Sequence, residues 1–133
     1  MKVVAAILIY NKKVLAFKRP YVKGNSFLSL KYEFPGGKIK KNETEVDALK
    51  RELKEELDLS VYNLKKYFST SFDYIKYKVS ISFYISFLNS LNFKLNFHDE
   101  YRIVEVRDLN NLEWLKGNYE VIDYIRRNGF IKN

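Results

Sequence analysis

Val46, Leu49, Leu53 and Leu57 recur at helical spacing, and no other pattern constrains the fold of this chain as tightly. The spacing predicts an amphipathic helix over 44–57, about four turns long. Thr44 fits as its N-cap, and Asp47 three residues on completes a variant of the capping box. At about 100° per residue the four apolar side chains share one arc of roughly 80°, and Glu52, Glu55 and Glu56 share a neighbouring arc of roughly 100°. Helix energetics oppose that acidic arc. Glu52 and Glu56 are like charges at i,i+4, a cost of ~0.2–0.5 kcal/mol on an open helix. All three carboxylates also lie in the half where the helix dipole disfavours anions. A divalent cation would turn the repulsion into chelation, because hard cations prefer carboxylate oxygens. Ala48, one turn earlier on the same arc, is expected to leave room for an ion or a phosphate. Arg51 stands four residues before Glu55 and can pair with it. Without its flanks the pattern equally fits a solvated Glu/Lys helix, with Asp47, Lys50 and Lys54 on the far side.

The apolar run Val3–Tyr10 meets Asn11-Lys12-Lys13, too short and without a small-residue cleavage site for a signal peptide. It reads as a buried first strand, joined in a hairpin to Val14–Lys18. Residues 19–33 carry turn signals at Pro20, Gly24 and Asn25 and are expected to form a loop suited to substrate contacts. Phe68–Phe72 and Lys78–Leu88 are expected strands. In the second, Val79, Ile81, Phe83, Ile85 and Phe87 alternate with Ser80, Ser82, Tyr84 and Ser86. Arg102–Val106 is a further short strand. Tyr119–Arg127 is a closing helix with Val121, Ile122 and Ile125 inward. Such a mixture without regular alternation predicts an α/β fold: a mixed β-sheet packed by helices.

The 133 residues suit a single domain spanning 1–133, and 47% hydrophobic content excludes disorder. The chain has no cysteine, which removes disulfides and thiolate metal sites and suits a reducing cytoplasm. No stretch is long enough to span a bilayer. The net charge is +8, unevenly spread. Segment 43–58 holds seven acids against three bases, a net of −4, so the remainder carries +12. The basic body would draw a polyanionic substrate and the acidic focus a cation.

The flank of the helix separates the two readings of its acidic face. Upstream stand Glu33-Phe34-Pro35-Gly36-Gly37-Lys38, where two glycines after a proline are expected to make a tight turn close to a ligand. With the helix, the segment reads Gly37, five residues, Glu43, seven residues, then Arg51-Glu52-Leu53-Lys54-Glu55-Glu56-Leu57-Asp58-Leu59. Residues 37–59 thus resemble the Nudix box, G-x5-E-x7-R-E-U-x-E-E-x-G-U, at every fixed position except the last glycine, here Asp58. That glycine ends the helix in a left-handed conformation, which Asp adopts at some cost. Residues 33–38 and the Lys18-Arg19 pair are similar to the MutT branch of the Nudix hydrolases, whose members hydrolyse nucleoside triphosphates.

The resemblance implies a Nudix-type α/β/α sandwich and Mg²⁺-dependent hydrolysis of a nucleoside triphosphate to a nucleoside monophosphate and pyrophosphate, extending to oxidised nucleotides of the 8-oxo-dGTP kind. It implies that Glu52, Glu55, Glu56 and the Gly36 carbonyl hold Mg²⁺, or Mn²⁺ in its place. Glu52 or Glu55 would take the proton of an attacking water, with Glu43 and Arg51 supporting the site. Lys38 and Arg19 would bind phosphate oxygens. The segment Leu115-Lys116-Gly117-Asn118-Tyr119-Glu120-Val121-Ile122 resembles one carrying a base-reading asparagine, and Asn118 would take that role. As a residue in its own right, Asn118 fits a helix cap before 119–127 equally well. Many family members carry a further Glu in a Glu-His-x-Glu-Tyr-Arg pattern. Phe97-His98-Asp99-Glu100-Tyr101-Arg102 places Phe97 there, leaving Asp99 or Glu100 as the substitute and His98 as a surface loop residue. A sugar nucleotide or dinucleoside polyphosphate is the alternative substrate, and a non-catalytic nucleotide- or RNA-binding Nudix protein the alternative class. No RNA-binding signature appears, so no stable nucleic-acid complex is expected; monomer and homodimer are both open.

Overall fold

A computed structural model describes residues 1–130. Its centre is β1 (Lys2–Tyr10), an almost wholly buried strand, which is why its sequence is a continuous apolar run. β1 turns into β2 (Lys13–Lys18) through Asn11 and Lys12, both at positive φ (53° and 66°), as a two-residue hairpin matching strand twist requires. The two strands pair only at their hairpin end, Ile9 with Val14 and Tyr10 with Lys13, and then part. The gap is filled by β3 (Tyr32–Glu33), paired with the far end of β2, and β4 (Gly36–Lys38), paired with the near end of β1.

The Pro-Gly-Gly segment is therefore not the tight turn expected from its composition. It is a strand wedged into a split hairpin, with the Ala6 N–H donating to the Pro35 carbonyl at 2.8 Å. Gly36 is required there by contact: a Cβ would stand 2.0 Å from the Val4 carbonyl oxygen.

α1 (Glu45–Leu57) follows, then β5 (Lys65–Tyr74) and β6 (Tyr77–Phe87), an antiparallel hairpin. β6 lies parallel to β1 over eight residue pairs, so the sheet is mixed. β7 (Glu100–Val104) pairs with β2, a 3₁₀ helix occupies Val106–Asn111, and α2 (Tyr119–Asn128) ends the described chain. The two helices cover opposite faces. Leu49, Leu53 and Leu57 of α1 pack with Val4, Ala6, Leu8, Leu15 and Phe17, while Val121, Ile122 and Ile125 of α2 pack with Ile7, Ile9, Phe83 and Trp114. Each fully buried Leu or Ile contributes roughly 1.5–3 kcal/mol. The fold is the expected α/β/α sandwich around a mixed sheet.

Three details differ from the sequence pattern. Alternation in β6 fails at its end: Ser86 is buried and bonded to Asn63 at 2.8 Å, whereas Phe87 is half exposed. Pairing with β5 stops at Ile85, and beyond it the strand is shielded differently on its two faces. β7 begins two residues earlier than expected, at Glu100, because it runs beside Lys18. Ala48 faces the core rather than an ion: it is fully buried with Val4 and Ala6, where α1 lies against β1 and β4. Its small size serves helix–sheet approach.

Candidate functional site

α1 delivers its carboxylates in a fixed frame. Thr44 caps the N-terminus, accepting from the Asp47 N–H at 3.1 Å. Glu45, in the first turn, ties the helix to the sheet by accepting from Ser82 and Tyr84 hydroxyls, each at 2.7 Å. At the other end Asp58 is left-handed (φ 51°), and its N–H reaches the Leu53 and Lys54 carbonyls. The sequence departure at 58 thus retains the expected cap geometry. Segment 94–96 closes the remaining carbonyls: Lys94 N–H donates to Leu57, Asn96 N–H to Glu56 and Asn96 Nδ2 to Glu55, all within 3.1 Å.

Arg51 organises the acids around it. Its Nε and Nη2 grip both oxygens of Glu43 at 2.7 and 2.9 Å, Nη1 reaches Glu52 at 2.9 Å, and Nη2 also donates to the Lys38 carbonyl. The Arg51 hydrogen bonds, with the Lys40 backbone N–H, hold the Glu43 carboxyl down to about 2. Glu55, the partner expected for Arg51, is a weaker one at 3.5 Å, with its side chain 56% exposed.

Glu52 folds over Gly37 so closely that a Cβ there would meet its carboxyl carbon at 2.6 Å. Glu56 stands behind it. Burial first, then a hydrogen bond shared with Glu52 and the charges of Glu33 and Glu52, push the Glu56 carboxyl up to about 9, against the Gly36 backbone. One of its oxygens, Oε1, is buried with no hydrogen-bond partner among the described residues. As placed, no three carboxylate or imidazole side chains among the described residues form a ready cation cluster. Arg51 occupies Glu52, and Glu55 points outward. The donor set nonetheless fits a hard cation: an orphaned buried oxygen, a carboxyl pushed up by burial beside a second carboxyl, and a glycine backbone within reach.

A cavity of about 700 Å³ opens beside this end, and Arg19, Gly36, Gly37, Lys38 and Asn118 all line it. Its far wall is aromatic, with Phe72, Tyr74 and Tyr77 from the β5–β6 hairpin and Phe27 from the 19–31 loop. Asn118 is 5% exposed; its Nδ2 donates to the Leu115 carbonyl at 2.8 Å, and its side chain makes no capping bond to α2. The other two sequence candidates lie elsewhere. Asp99 is exposed, and Glu100 is engaged by Lys18, Arg102 and the Tyr32 hydroxyl, so neither is joined to the α1 carboxylates.

Sequence reasoning missed the role of Glu33 and misjudged His98. Glu33 is 9% exposed and takes Arg19 Nη1 on both oxygens, at 3.1 and 3.3 Å. His98 is not a surface residue: its ring is fully buried, with Nε2 2.8 Å from Glu33 Oε2. A lone histidine between Phe97 and Asp99 gives no local signal of burial. Its partner lies across the sheet, 65 positions away.

The NUDIX domain family matches residues 1–125. The chain belongs to that family. Two curated relatives are described as 8-oxo-dGTP diphosphatases. That of Buchnera aphidicola subsp. Acyrthosiphon pisum is 34% identical over 73 residues, covering 55% of this chain and 59% of the relative. That of Haemophilus influenzae is 37% identical over 82 residues, covering 62% and 60%. The match thus spans about three fifths of each relative. Among solved structures, the MutT protein from Methanosarcina mazei Go1 superposes with a TM-score of 0.80 at 21% identity, over 96% of this chain and 93% of that one. This MutT-like Nudix member carries its box on β4, the following loop and α1.

Proposed function

We propose that this Nudix protein, acting as one domain over 1–133 in a reducing cytoplasm, hydrolyses a nucleoside triphosphate to the monophosphate and pyrophosphate. The observation that carries the reading is the convergence of Glu52 and Glu56 on Gly36–Gly37, at the edge of the cavity that Arg19, Lys38 and Asn118 line. Glu52, Glu55, Glu56 and the Gly36 carbonyl hold Mg²⁺, or Mn²⁺. The cation, when bound, neutralises phosphate charge and acidifies water. Lys38 and Arg19 bind phosphate oxygens, Glu52 or Glu55 accepts the proton of the attacking water, and Glu43 with Arg51 fixes Glu52 in orientation. The aromatic wall offers stacking surface to a base, and the relatives' descriptions favour an oxidised purine such as that of 8-oxo-dGTP.

A hydrolysis screen tests this with nucleoside triphosphates including 8-oxo-dGTP, sugar nucleotides and dinucleoside polyphosphates, each with and without Mg²⁺. Pyrophosphate and monophosphate are expected from a triphosphate with the metal alone, and Glu52→Gln and Glu55→Gln are expected to lose most turnover with unchanged circular dichroism. Full activity in both variants, or binding without turnover of any nucleotide, overturns the assignment.

A further inference from the structure

Segment 89–99 has no regular secondary structure, yet it is tied at both ends. Asn96 is bonded to the carbonyls of Glu55 and Glu56, and the Asp99 N–H donates to the Lys18 carbonyl at 2.9 Å. The span between these ties is Phe97 and His98. The Phe97 ring is 41% exposed, and its centroid stands 5.2 Å from the Arg19 guanidinium carbon. It also meets the His98 ring at 4.9 Å, nearly edge-on at 80°. His98 packs on Phe17 and holds Glu33, which in turn grips Arg19 from within its plane.

We propose that Phe97 is a positioning residue for nucleotide binding: its ring supports the face of Arg19 while Glu33, braced by His98, fixes the edge. The proposal rests on the function inferred above and adds to it a residue that touches no substrate. A half-exposed Phe gains little from core packing, so its placement is accounted for by the cation it faces. A guanidinium free to rotate loses rotamer entropy when it takes a phosphate. Held over a ring and bonded to Glu33, it has already lost that freedom, and the planar fork keeps its remaining donors aimed. Arg19 Nε, buried and without a partner among the described residues, is one donor left unspent by Glu33. Because the segment is anchored on the carbonyls of Glu55 and Glu56, the same strap sets the distance between the acidic helix and the cationic side chain.

The test compares Phe97→Ala, Phe97→Leu and Phe97→Tyr. Binding of the α,β-methylene analogue of dGTP is measured by titration calorimetry, and steady-state constants are measured for the hydrolysed triphosphate. Loss of the ring is expected to raise Kd and KM about fivefold, the factor a partly exposed cation–π contact supplies, with kcat within about twofold. Leu keeps apolar volume and should fail like Ala; Tyr keeps the ring and should behave as wild type. Without ligand, the Arg19 Nε–H resonance should be sharp in wild type and Phe97→Tyr and broadened in the other two. Unchanged binding and resonance in Phe97→Ala, a fall in kcat at constant KM, a Tyr variant as impaired as Ala, or no binding of the analogue by wild type overturns the proposal. If wild type binds the analogue but hydrolyses nothing, the proposed function fails, while the binding and resonance comparisons still decide the role of Phe97.

Discussion

The acidic end of the candidate site, whose α1 carboxylates lie outside the cavity lining, and its cavity end are built in opposite ways. The acidic end is one continuous segment, residues 36–58, with its side chains cross-braced: Arg51 holds Glu43 and Glu52, Glu52 lies on Gly37, and Asn96 locks the helix end. The other end is assembled from the 19–31 loop, the β5–β6 hairpin and residues 114–119, and few bonds join its members. Phe27 is 70% exposed although it lines the cavity, and Asn118 is bonded to its sequence neighbours Leu115 and Ile122. Under the proposed function, such a site braces its acids before a ligand arrives, leaves their gathering around a cation to binding, and leaves the recognition surface to adapt. Perturbations at the first end should therefore act on every substrate alike, and those at the second should separate one base from another.

The sharpest break of that comparison uses two adjacent glycines. In Gly37→Ala the three atoms nearest the new methyl all belong to the carboxyl of Glu52, the far end of a flexible side chain, so the fold can yield. Glu52 is displaced from its orientation, and turnover should fall about a hundredfold on all nucleotides, the upper range for losing a group that orients a ligand. Thermal stability should change little. In Gly36→Ala the methyl meets backbone, 2.0 Å from the Val4 oxygen, and stability should fall by about 2–3 kcal/mol. Denaturation curves and initial rates separate them. A Gly37→Ala protein with full activity removes Glu52 from the centre.

The next effect comes from the proton that Glu56 retains. Its carboxyl is pushed up to about 9, so in the cation-free protein it carries that proton at neutral pH, and cation binding must expel it. Mg²⁺ affinity should rise about tenfold per pH unit between about 5 and 9. The sign for folding is opposite to that of a salt-bridged acid. A carboxyl raised in the native state binds more protons folded than unfolded, so cation-free stability falls as pH climbs from the ordinary carboxylate value towards about 9. Calorimetry of Mg²⁺ binding in two buffers of different ionisation enthalpy reads the released proton. Release that persists in Glu56→Gln contradicts the assignment.

The same division explains what the sequence disclosed. α1, its caps and its acidic arc were legible because they depend on spacing within one helix, where i,i+3 and i,i+4 neighbours are known in advance. The sheet was legible where an apolar run or alternation marked a strand, as in β1 and most of β6. β3 and β4 left no such mark: two and three residues are too few for a period, and their pairing depends on how β1 and β2 part. Ala48 was misread for a related reason. Its angle on the helix wheel is that of the acids, but at Ala48 that side of the helix is buried with Val4 and Ala6 of β1. Glu33, Phe97 and His98 come together through the sheet and the strap, so no local window contains the reason for their roles.

Asn118 should give the smallest effect and the one most particular to the recognition end. One of its two Nδ2 hydrogens is spent on the Leu115 carbonyl, which leaves the amide oxygen and the second N–H as the groups available to a ligand. An amide offering both an acceptor and a donor favours a base edge that presents the complementary pair. Asn118→Ala should raise KM for the preferred nucleotide about five- to tenfold, the worth of one hydrogen bond near 1 kcal/mol, while nucleotides whose edge lacks the complementary pair change little. The measurement is KM across four bases and an oxidised purine. A uniform rise across all of them, accompanied by a lower melting temperature, would mean that the residue serves only to hold the turn before α2, and base choice would then have to reside in the aromatic wall.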